Sequence, residues 1–478
     1  MARIARGKRP GASYNGETAA RIQSRSPTNT THSNSTAGRP ACILLALVLA
    51  GCSVAPSIGE READARVERI GGTFRPAGQK PVLPALAPDS PPADYVRFAV
   101  LNHPSVEAAY DDWRASVAAI APARALPDPQ FTFQADVWNT LMSFMPGLMF
   151  DFMASGKRSV MAGEASAESM VQYRAFVTSA LTTAADARKA WIDLASVDET
   201  IRLREAALAS LGQSSALAGA DYATGRGMAT LEAQVRLGNE IAKAGADLDT
   251  LRDRRASART LLKSALGLGP ADADPQWPTA ALAPTALPGE DELWRRAQAS
   301  NPELARMRAM VEMAVAGVEV ARRAATADFS LGAMANVLDT QADPRMVRPV
   351  ASITLPIWRE KIAGNIAAAQ GRSEAAGARE RAAQIALAAE LAQMLYTVHE
   401  SDRMIAYIDR TGLPNLERII ASAEAGYQTG MSGATTIPDT RLMELDMALE
   451  RVAALREREM AATDLSLLTA DAAPPELH

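Results

Sequence analysis

Residue types that could carry enzyme chemistry are few and scattered in this 478-residue sequence. Four histidines and two cysteines are too few for a conventional metal cluster, and no Ser/His/Asp set, cysteine nucleophile or carboxylate pair stands out. Gly156-Lys157 suggests a phosphate loop, but Asp151 stands where such a loop needs its first glycine, and Arg158 replaces the Ser or Thr. The net charge of -5 indicates no nucleic-acid partner. The sequence therefore predicts no enzyme, no cofactor and no metal centre.

The two cysteines are informative through their position. Cys42 and Cys52 both lie near the N-terminus, so a disulfide framework for the rest of the chain is excluded. A basic flank and an apolar run, residues 41–49, precede Leu49-Ala50-Gly51-Cys52, and that run is too short to span a bilayer. The order resembles a bacterial lipoprotein cleavage box. It predicts a leader and signal peptide over 1–51 and lipidation of Cys52; an ordinary signal peptide with an incidental cysteine is the alternative.

Methionines cluster between residues 142 and 153. Met142, Met145, Met149 and Met153 recur every three or four positions. Thioethers are ligands for soft ions such as Cu(I). Methionine is also a flexible apolar filler, which a strand facing lipid could use. Both interpretations are open at this point.

The chain contains an internal repeat. Residues 94–268 can be laid over residues 291–468, with "YVRFAVLNHP" opening the first copy and "LWRRAQASNP" the second. In both copies a proline follows an asparagine and can occupy the first turn of a helix. The repeats leave an N-terminal linker over 52–93, a Pro-rich linker over 269–290 and a tail over 469–478.

Strand-like segments follow the first helices of each copy. Apolar residues alternate with small or polar ones at 131–137 and 141–153, and again at 329–337 and 347–357. Alternation over about ten residues fits a tilted outer-membrane strand. Four strands cannot close a barrel, and open edges in lipid would leave backbone groups unpaired. This interpretation therefore demands strands from further copies of the chain.

Very long helices come next. No proline interrupts residues 158–218, and a heptad stripe runs along them, which predicts supercoiled packing. A second run over 361–426 carries Leu391, Val398, Ile405 and Ile419 at similar spacing, and its Gly412-Leu413-Pro414 step predicts a bend. The first stripe consists of Met170, Val177, Ala184 and Trp191 together with Tyr173, Ala180, Ala187, Leu194, Ile201 and Leu208.

Each long helix ends at a Tyr-x-x-Gly turn, before a helix that returns. The order of helix, strand pair, long helix, turn and long helix, repeated once, resembles the TolC family of outer-membrane efflux proteins over residues 94–468. The resemblance rests on four short segments: Asn102-His103-Pro104, Asn301-Pro302, Leu355-Pro356-Ile357 and Leu413-Pro414. Gly156-Lys157-Arg158 is similar to a phrase found in metal-exporting members.

The resemblance implies a mainly α fold with a small β part. Long helical hairpins would form a trimeric periplasmic α-barrel, and four strands per protomer would share a 12-stranded outer-membrane β-barrel. The turns, with Tyr222, Gly225, Tyr427 and Gly430, would contact an adaptor; the alternative is that these glycines only permit a tight reversal. Asp439 and Arg441 are the candidate gate, with a helix N-cap as the alternative for Asp439.

The implied function is the outer-membrane channel of a tripartite efflux pump that conducts metal ions or small toxic compounds. Its partners would be two further copies of the chain, a periplasmic adaptor (membrane fusion protein), an inner-membrane pump of the RND type and outer-membrane lipid, with no nucleic acid. Two alternatives are open. One is a duct for type I protein secretion. The other is a periplasmic coiled-coil scaffold lipoprotein that forms no channel.

Overall fold

The order of helices and strands recurs in the two halves of the chain, as the repeat predicts. The computed structural model describes residues 55–137, 141–224, 231–336, 347–429 and 436–471. The first half contains α2 (Pro92–Asn102), α3 (Pro104–Ala118), α4 (Ile120–Arg124), β1 (Gln130–Val137), β2 (Leu141–Phe152), α5 (Lys157–Thr224) and α6 (Leu231–Ala265). The second contains α7 (Glu290–Ser300), α8 (Pro302–Arg323), β3 (Phe329–Ala335), β4 (Val347–Ile353), α9 (Arg359–Tyr407), α10 (Leu413–Gln428) and α11 (Thr436–Leu468).

Equivalent asparagines join the start of each repeat to its end. The Asn102 side chain donates to the carbonyl of Leu266, just after α6, at 2.9 Å. The Asn301 side chain donates to the carbonyl of Leu468, at the end of α11, at 3.2 Å. Helix C-termini leave carbonyls without partners, so each amide satisfies one of them. The two asparagines therefore act at both ends of each repeat: they precede the proline that begins a helix, and their side chains bind the end of the returning helix.

The first long helix, α5, carries the predicted buried stripe. It has 68 residues, about 100 Å at helical rise. Ala180, Ala187 and Leu194 are fully buried, and Trp191 is 4% exposed. Ala187 shares one buried cluster with residues of α2 and α6, so its small side chain lets these two helices approach α5 closely. Among the described residues, no helix combines the length and the apolar character needed to cross a membrane.

The second long run is interrupted where the sequence predicts a bend. A π-helical turn, Ile408–Gly412, separates α9 from α10. Before the turn, Leu391 and Val398 are buried as predicted. After it, Ile419 is half exposed and the neighbouring Ile420 is buried instead. A π turn holds one more residue than an α turn, so the buried stripe moves forward by one position.

The four strands form one antiparallel sheet in the order β1-β2-β3-β4. Chain neighbours pair within each half, and β2 pairs with β3 to join the halves, with Phe150 opposite Leu331. The third and fourth strands end earlier than predicted, at Ala335 and Ile353. Pro356 explains the second difference, since proline cannot donate to a strand ladder. The strands at the two edges are β1 and β4.

The segment predicted as an N-terminal linker contains a helix that the sequence reasoning missed. This helix, α1 (Ile58–Phe74), packs along α5, with Phe74 fully buried. The Phe74 ring lies 5.2 Å from Tyr110 and 5.5 Å from Phe176. Because the helix has only 17 residues and a low mean hydropathy, it depends on this docking for its stability. Cys52 lies outside the described residues.

Candidate functional site

The sheet has one wholly apolar face, built by the alternation of its strands. Cross-strand pairing places Phe131 opposite Leu148, and Leu148 opposite Ala333. Phe131 and Phe133 are each 68% exposed, and Leu331 is 48% exposed. The face consists of Phe131, Phe133, Ala135, Phe144, Pro146, Leu148, Phe150, Phe152, Phe329, Leu331, Ala333, Ala335, Val347, Pro349, Ala351 and Ile353. A continuous exposed apolar surface of this kind fits lipid.

The opposite face of the sheet is mostly polar and carries its own hydrogen bonds. Asp151 accepts from Gln130 at 2.9 Å and from Ser330 at 2.5 Å. Near the other end of the strands, Ser143 donates to Asp136 at 2.7 Å. Carboxylates held by neighbours on one face and phenyl rings on the other give the sheet one polar side and one apolar side, the alternation expected of a strand between water and lipid.

The methionines of the second strand lie on the polar face. Met145 pairs with Gln134, and Met149 pairs with Gln130, so both point away from the apolar surface. The interpretation of these two residues as lipid-facing filler is therefore wrong. Met334 of β3 lies on the same face and was not part of the predicted cluster. Among the described residues, no group of three or more His, Cys, Asp or Glu side chains could hold a metal ion.

The Gly-Lys-Arg phrase lies at the junction of sheet and helix. Gly156 has a φ of 80°, which glycine adopts at little cost, and α5 begins at the next residue. Lys157 Nζ binds the Asp328 carboxylate at 2.6 Å, and the Ala154 N–H donates to the same carboxylate at 2.9 Å. Asp328 directly precedes β3, so this ion pair clamps the two halves of the sheet at their base. The clamp is a structural role for Lys157.

The tyrosines of the predicted tip turns lie at the ends of two helical hairpins. Tyr222 is in the last turn of α5 and is 49% exposed. Tyr427 is half-buried near the end of α10. Gly225 and Gly430 lie outside the described residues. The predicted helix reversals are present, since α6 packs back along α5 and α11 along α10.

The two candidate gate residues have different partners. Asp439 lies inside the first turn of α11, so the N-cap interpretation is wrong. Its carboxylate accepts from Arg236 of α6 at 2.5 Å, which joins the first hairpin to the second. Arg441 instead binds Glu444 at 2.9 Å and Glu424 of α10 at 3.4 Å, within the second hairpin. The structure therefore assigns the contact between hairpins to Asp439 and Arg236. Sequence reasoning missed Arg236, which is 203 positions away.

Ion pairs between α5 and α11 continue above the tip and are better shielded. Lys189 binds Asp464 at 2.5 Å, and Arg456 binds Asp193 at 2.7 Å. Glu459 of α11, only 2% exposed, lies 3.8 Å from the Arg188 guanidinium of α5. The Arg236 and Asp439 side chains are 56% and 44% exposed. Exposed pairs are screened by salt and contribute little to stability, so the tip pair is the easiest of these contacts to open.

Comparisons with known proteins give a consistent result. A family model described as "Outer membrane efflux protein" matches residues 293–471. The fold is similar to the solved structure of CusC, at 18% identity, a TM-score of 0.68, and coverage of 80% of this chain and 93% of that one. VceC from Vibrio cholerae is 17% identical, with a TM-score of 0.65 and coverage of 79% and 95%.

A third similar structure is the open state of the MtrE outer membrane channel of Neisseria gonorrhoeae. It is 16% identical, with a TM-score of 0.67 and coverage of 79% of this chain and 88% of that one. No curated protein matches the sequence significantly. The predicted fold class, mainly α with a small β part, is confirmed.

Proposed function

We propose that this chain is an outer membrane efflux protein of the TolC type, because a family model of that description matches residues 293–471 and the fold is similar to that of CusC. From that premise we infer that three copies form the exit duct of a tripartite efflux pump. A protein of this family is a channel and not an enzyme. The duct would conduct its cargo, metal ions or small toxic compounds, passively through a water-filled lumen. An inner-membrane pump of the RND type would supply the energy.

The observation that carries the proposal is the sheet with two edges and one apolar face. Strands β1 and β4 end the sheet on either side, so a lone protomer in lipid would leave their outer backbone groups unpaired. Three protomers would close these edges against one another in a barrel of about 12 strands. Such a barrel would turn Phe131, Phe133 and Leu331 toward lipid and Asp136 and Asp151 toward water.

The helices support a periplasmic extension. A helix of about 100 Å reaches far beyond a bilayer, whose core is about 30 Å thick. The tips, with Tyr222 and Gly225 in one hairpin and Tyr427 and Gly430 in the other, are the proposed adaptor contacts. Cys52 is the proposed lipid anchor, which would hold each protomer to the membrane without contributing to the pore.

The proposed gate is the pair of Arg236 and Asp439, with Arg441 holding the second hairpin in place. The pair joins neighbouring hairpins where they are most exposed. Among the described residues near the tip, a partner that separates the hairpins would have to break this weak contact, while the shielded pairs of Lys189 and Arg456 lie further up the helices. Opening at the tip would therefore leave the upper part of the duct intact.

Single-channel recording on purified protein in planar bilayers tests both parts of the proposal. The wild type should run as a heat-resistant trimer and show a low conductance. Asp439→Asn and Arg236→Gln should each raise it several-fold, and the reversed pair Arg236→Asp/Asp439→Arg should lower it again. Arg202→Gln is the matched control, because Arg202 pairs with Glu199 three positions away on the same helix.

Other outcomes would count against the proposal. A wild type that stays monomeric and gives no conductance would contradict the duct and favour the coiled-coil scaffold. Equal conductance in the wild type and in all tip variants would contradict the gate alone. The anchor is tested in the same preparation: Cys52→Ser should lose palmitate labelling and keep its conductance, whereas unchanged labelling would contradict lipidation.

A further inference from the structure

Three methionines meet around a glycine on the polar face of the sheet. Met334 lies opposite Gly147, with Met145 and Met149 two positions to either side of that glycine. The Cγ of Met334 lies 2.5 Å from the position that a Cβ on Gly147 would occupy. The Met334 side chain therefore lies across the glycine, between the other two methionines.

A second glycine makes room for Met149 in the same way. Gly332 lies opposite Met149, and the Met149 Sδ is 3.2 Å from the position of a Cβ on that glycine. Met145 is only 2% exposed. Diagonal neighbours on adjacent strands are about 7–8 Å apart, within reach of long side chains. The two glycines thus leave space for the Met149 and Met334 side chains on the face of the sheet that also carries Met145.

The surroundings of this methionine cluster are polar. Gln134 pairs with Met145, Gln130 with Met149 and Arg348 with Met334. Asp151 follows Met149 by two positions on the same face. A filler of lipid-facing gaps would lie on the other side of the sheet. In the closed duct that we propose above, this face lines the lumen, and three clusters would lie at one level of the pore.

We propose that Met145, Met149 and Met334 form a thioether site for a soft monovalent cation, Cu(I) or Ag(I), at the exit of the duct. Neutral, polarizable sulfur ligands select such ions, whereas Mg²⁺ and Ca²⁺ require oxygen ligands. The assignment rests on the proposed function, because the site lies on the cargo's path only if this face lines the pore. It names the cargo class as soft metal ions and places a binding step in the membrane-embedded part of the duct.

A second group of methionines provides the matched control. Met161, Met310 and Met313 line a cavity of 830 Å³ between α5, α8 and α9, together with Glu164 and Glu168. Both groups have three thioethers, but the helical group lines an open cavity with charged walls. A comparison of silver binding after removal of each group therefore distinguishes a specific strand site from the general affinity of methionine for silver.

The experiment is equilibrium dialysis of the full-length protein in detergent against Ag(I) in chloride-free buffer, with bound metal measured by mass spectrometry. Met145→Leu/Met149→Leu/Met334→Leu should lose about one Ag(I) per protomer, since leucine keeps the apolar volume and removes the sulfur. Met161→Leu/Met310→Leu/Met313→Leu should bind as the wild type does. Gly147→Ala should weaken binding at least about tenfold, because a Cβ there displaces Met334 and also meets the Ala333 carbonyl of the paired strand, 2.6 Å away.

Unchanged silver binding in the strand variant, or loss only in the helical variant, would overturn the site. Trimer content and helical circular dichroism are measured on every sample, and Met334→Leu alone replaces the triple variant if that one does not assemble. Failure of the site and failure of the duct are distinguishable. A wild type that binds silver at the strand methionines but shows no conductance would retain the site and contradict the duct.

Discussion

At the residue scale, the side chains that matter most are those whose partners come from a distant part of the chain. Asn102, Asn301 and Asp328 each bind groups more than 160 positions away. The sequence predicted the Asn-Pro steps as helix starts from local chemistry alone. It could not predict the carbonyls that these amides reach, because those contacts depend on how the two ends of a repeat meet. The ion pair of Asp439 with Arg236 was out of reach for the same reason.

Glu164 leads to a prediction about pH. Burial raises the pKa of its carboxyl above the usual 4.5, and the charge of Glu168 raises it further. Gly317 lets it approach α8, since a Cβ there would lie 2.9 Å from the Glu164 carboxylate. The folded state therefore holds a proton that the unfolded state releases. The stabilisation that this proton gives to the folded state is complete below pH 4.5 and is lost as pH rises through the folded pKa.

We therefore expect Glu164→Gln to raise the apparent Tm at about pH 7.5 and to leave it nearly unchanged at about pH 4. Thermal unfolding followed by circular dichroism across this range measures the effect. Glu168→Gln should flatten the same pH dependence less strongly, because it removes only the second cause of the raised pKa. A Glu164→Gln profile parallel to that of the wild type would contradict the assignment.

At the scale of elements, local periodicity in the sequence predicted the main features correctly. The four strands, both long helices and the interruption near Gly412 lie where the pattern places them. The prediction failed where one element changes which positions of the next helix are buried. Ile419 continues the heptad from Val398, yet the π turn between them moves burial to Ile420. Helix α1 was missed because its stability comes from docking against Tyr110 and Phe176 and not from its own sequence.

The π turn itself gives the element-scale prediction. Gly412 is buried, and a Cβ on it would overlap the Met447 side chain of α11, which would have to leave its packed position. Gly412→Ala should therefore destabilise the protein by about 1–3 kcal/mol, although alanine is the better helix former. Gly371→Ala in α9, where no atom lies within 4 Å of a Cβ, should stabilise it by up to about 1 kcal/mol.

Chemical unfolding of the two glycine variants and the wild type tests this difference in sign. Gly412→Ala should cost less stability in a Met447→Ala background than in the wild type, because the smaller side chain makes room for the new methyl group. If both glycine variants were equally stabilised, the close packing of the π turn against α11 would be refuted.

At the scale of the whole molecule, the two faces of the sheet decide how the chain meets its surroundings. One strand carries both environments: Phe133 belongs to the apolar face, while Gln134 belongs to the polar face beside Met145. The sequence alternation predicted these faces directly, because side chains of a strand alternate with period two. It did not show which neighbours complete each face, since Ala335 and Val347 come from the other repeat.

Adding the same positive charge to each face in turn, at two neighbouring residues of β1, tests this arrangement. Phe133→Arg would place a cation on the apolar face, at a cost of up to about 2–4 kcal/mol in the middle of a bilayer. Gln134→Arg places the same charge on the polar face, where water can solvate it. We expect the first variant to reduce heat-resistant trimer in outer-membrane fractions strongly and the second to leave it near the wild-type level. Equal yields of both variants would mean that this face does not meet lipid, and the closed barrel would then have to be abandoned along with the pore that it encloses.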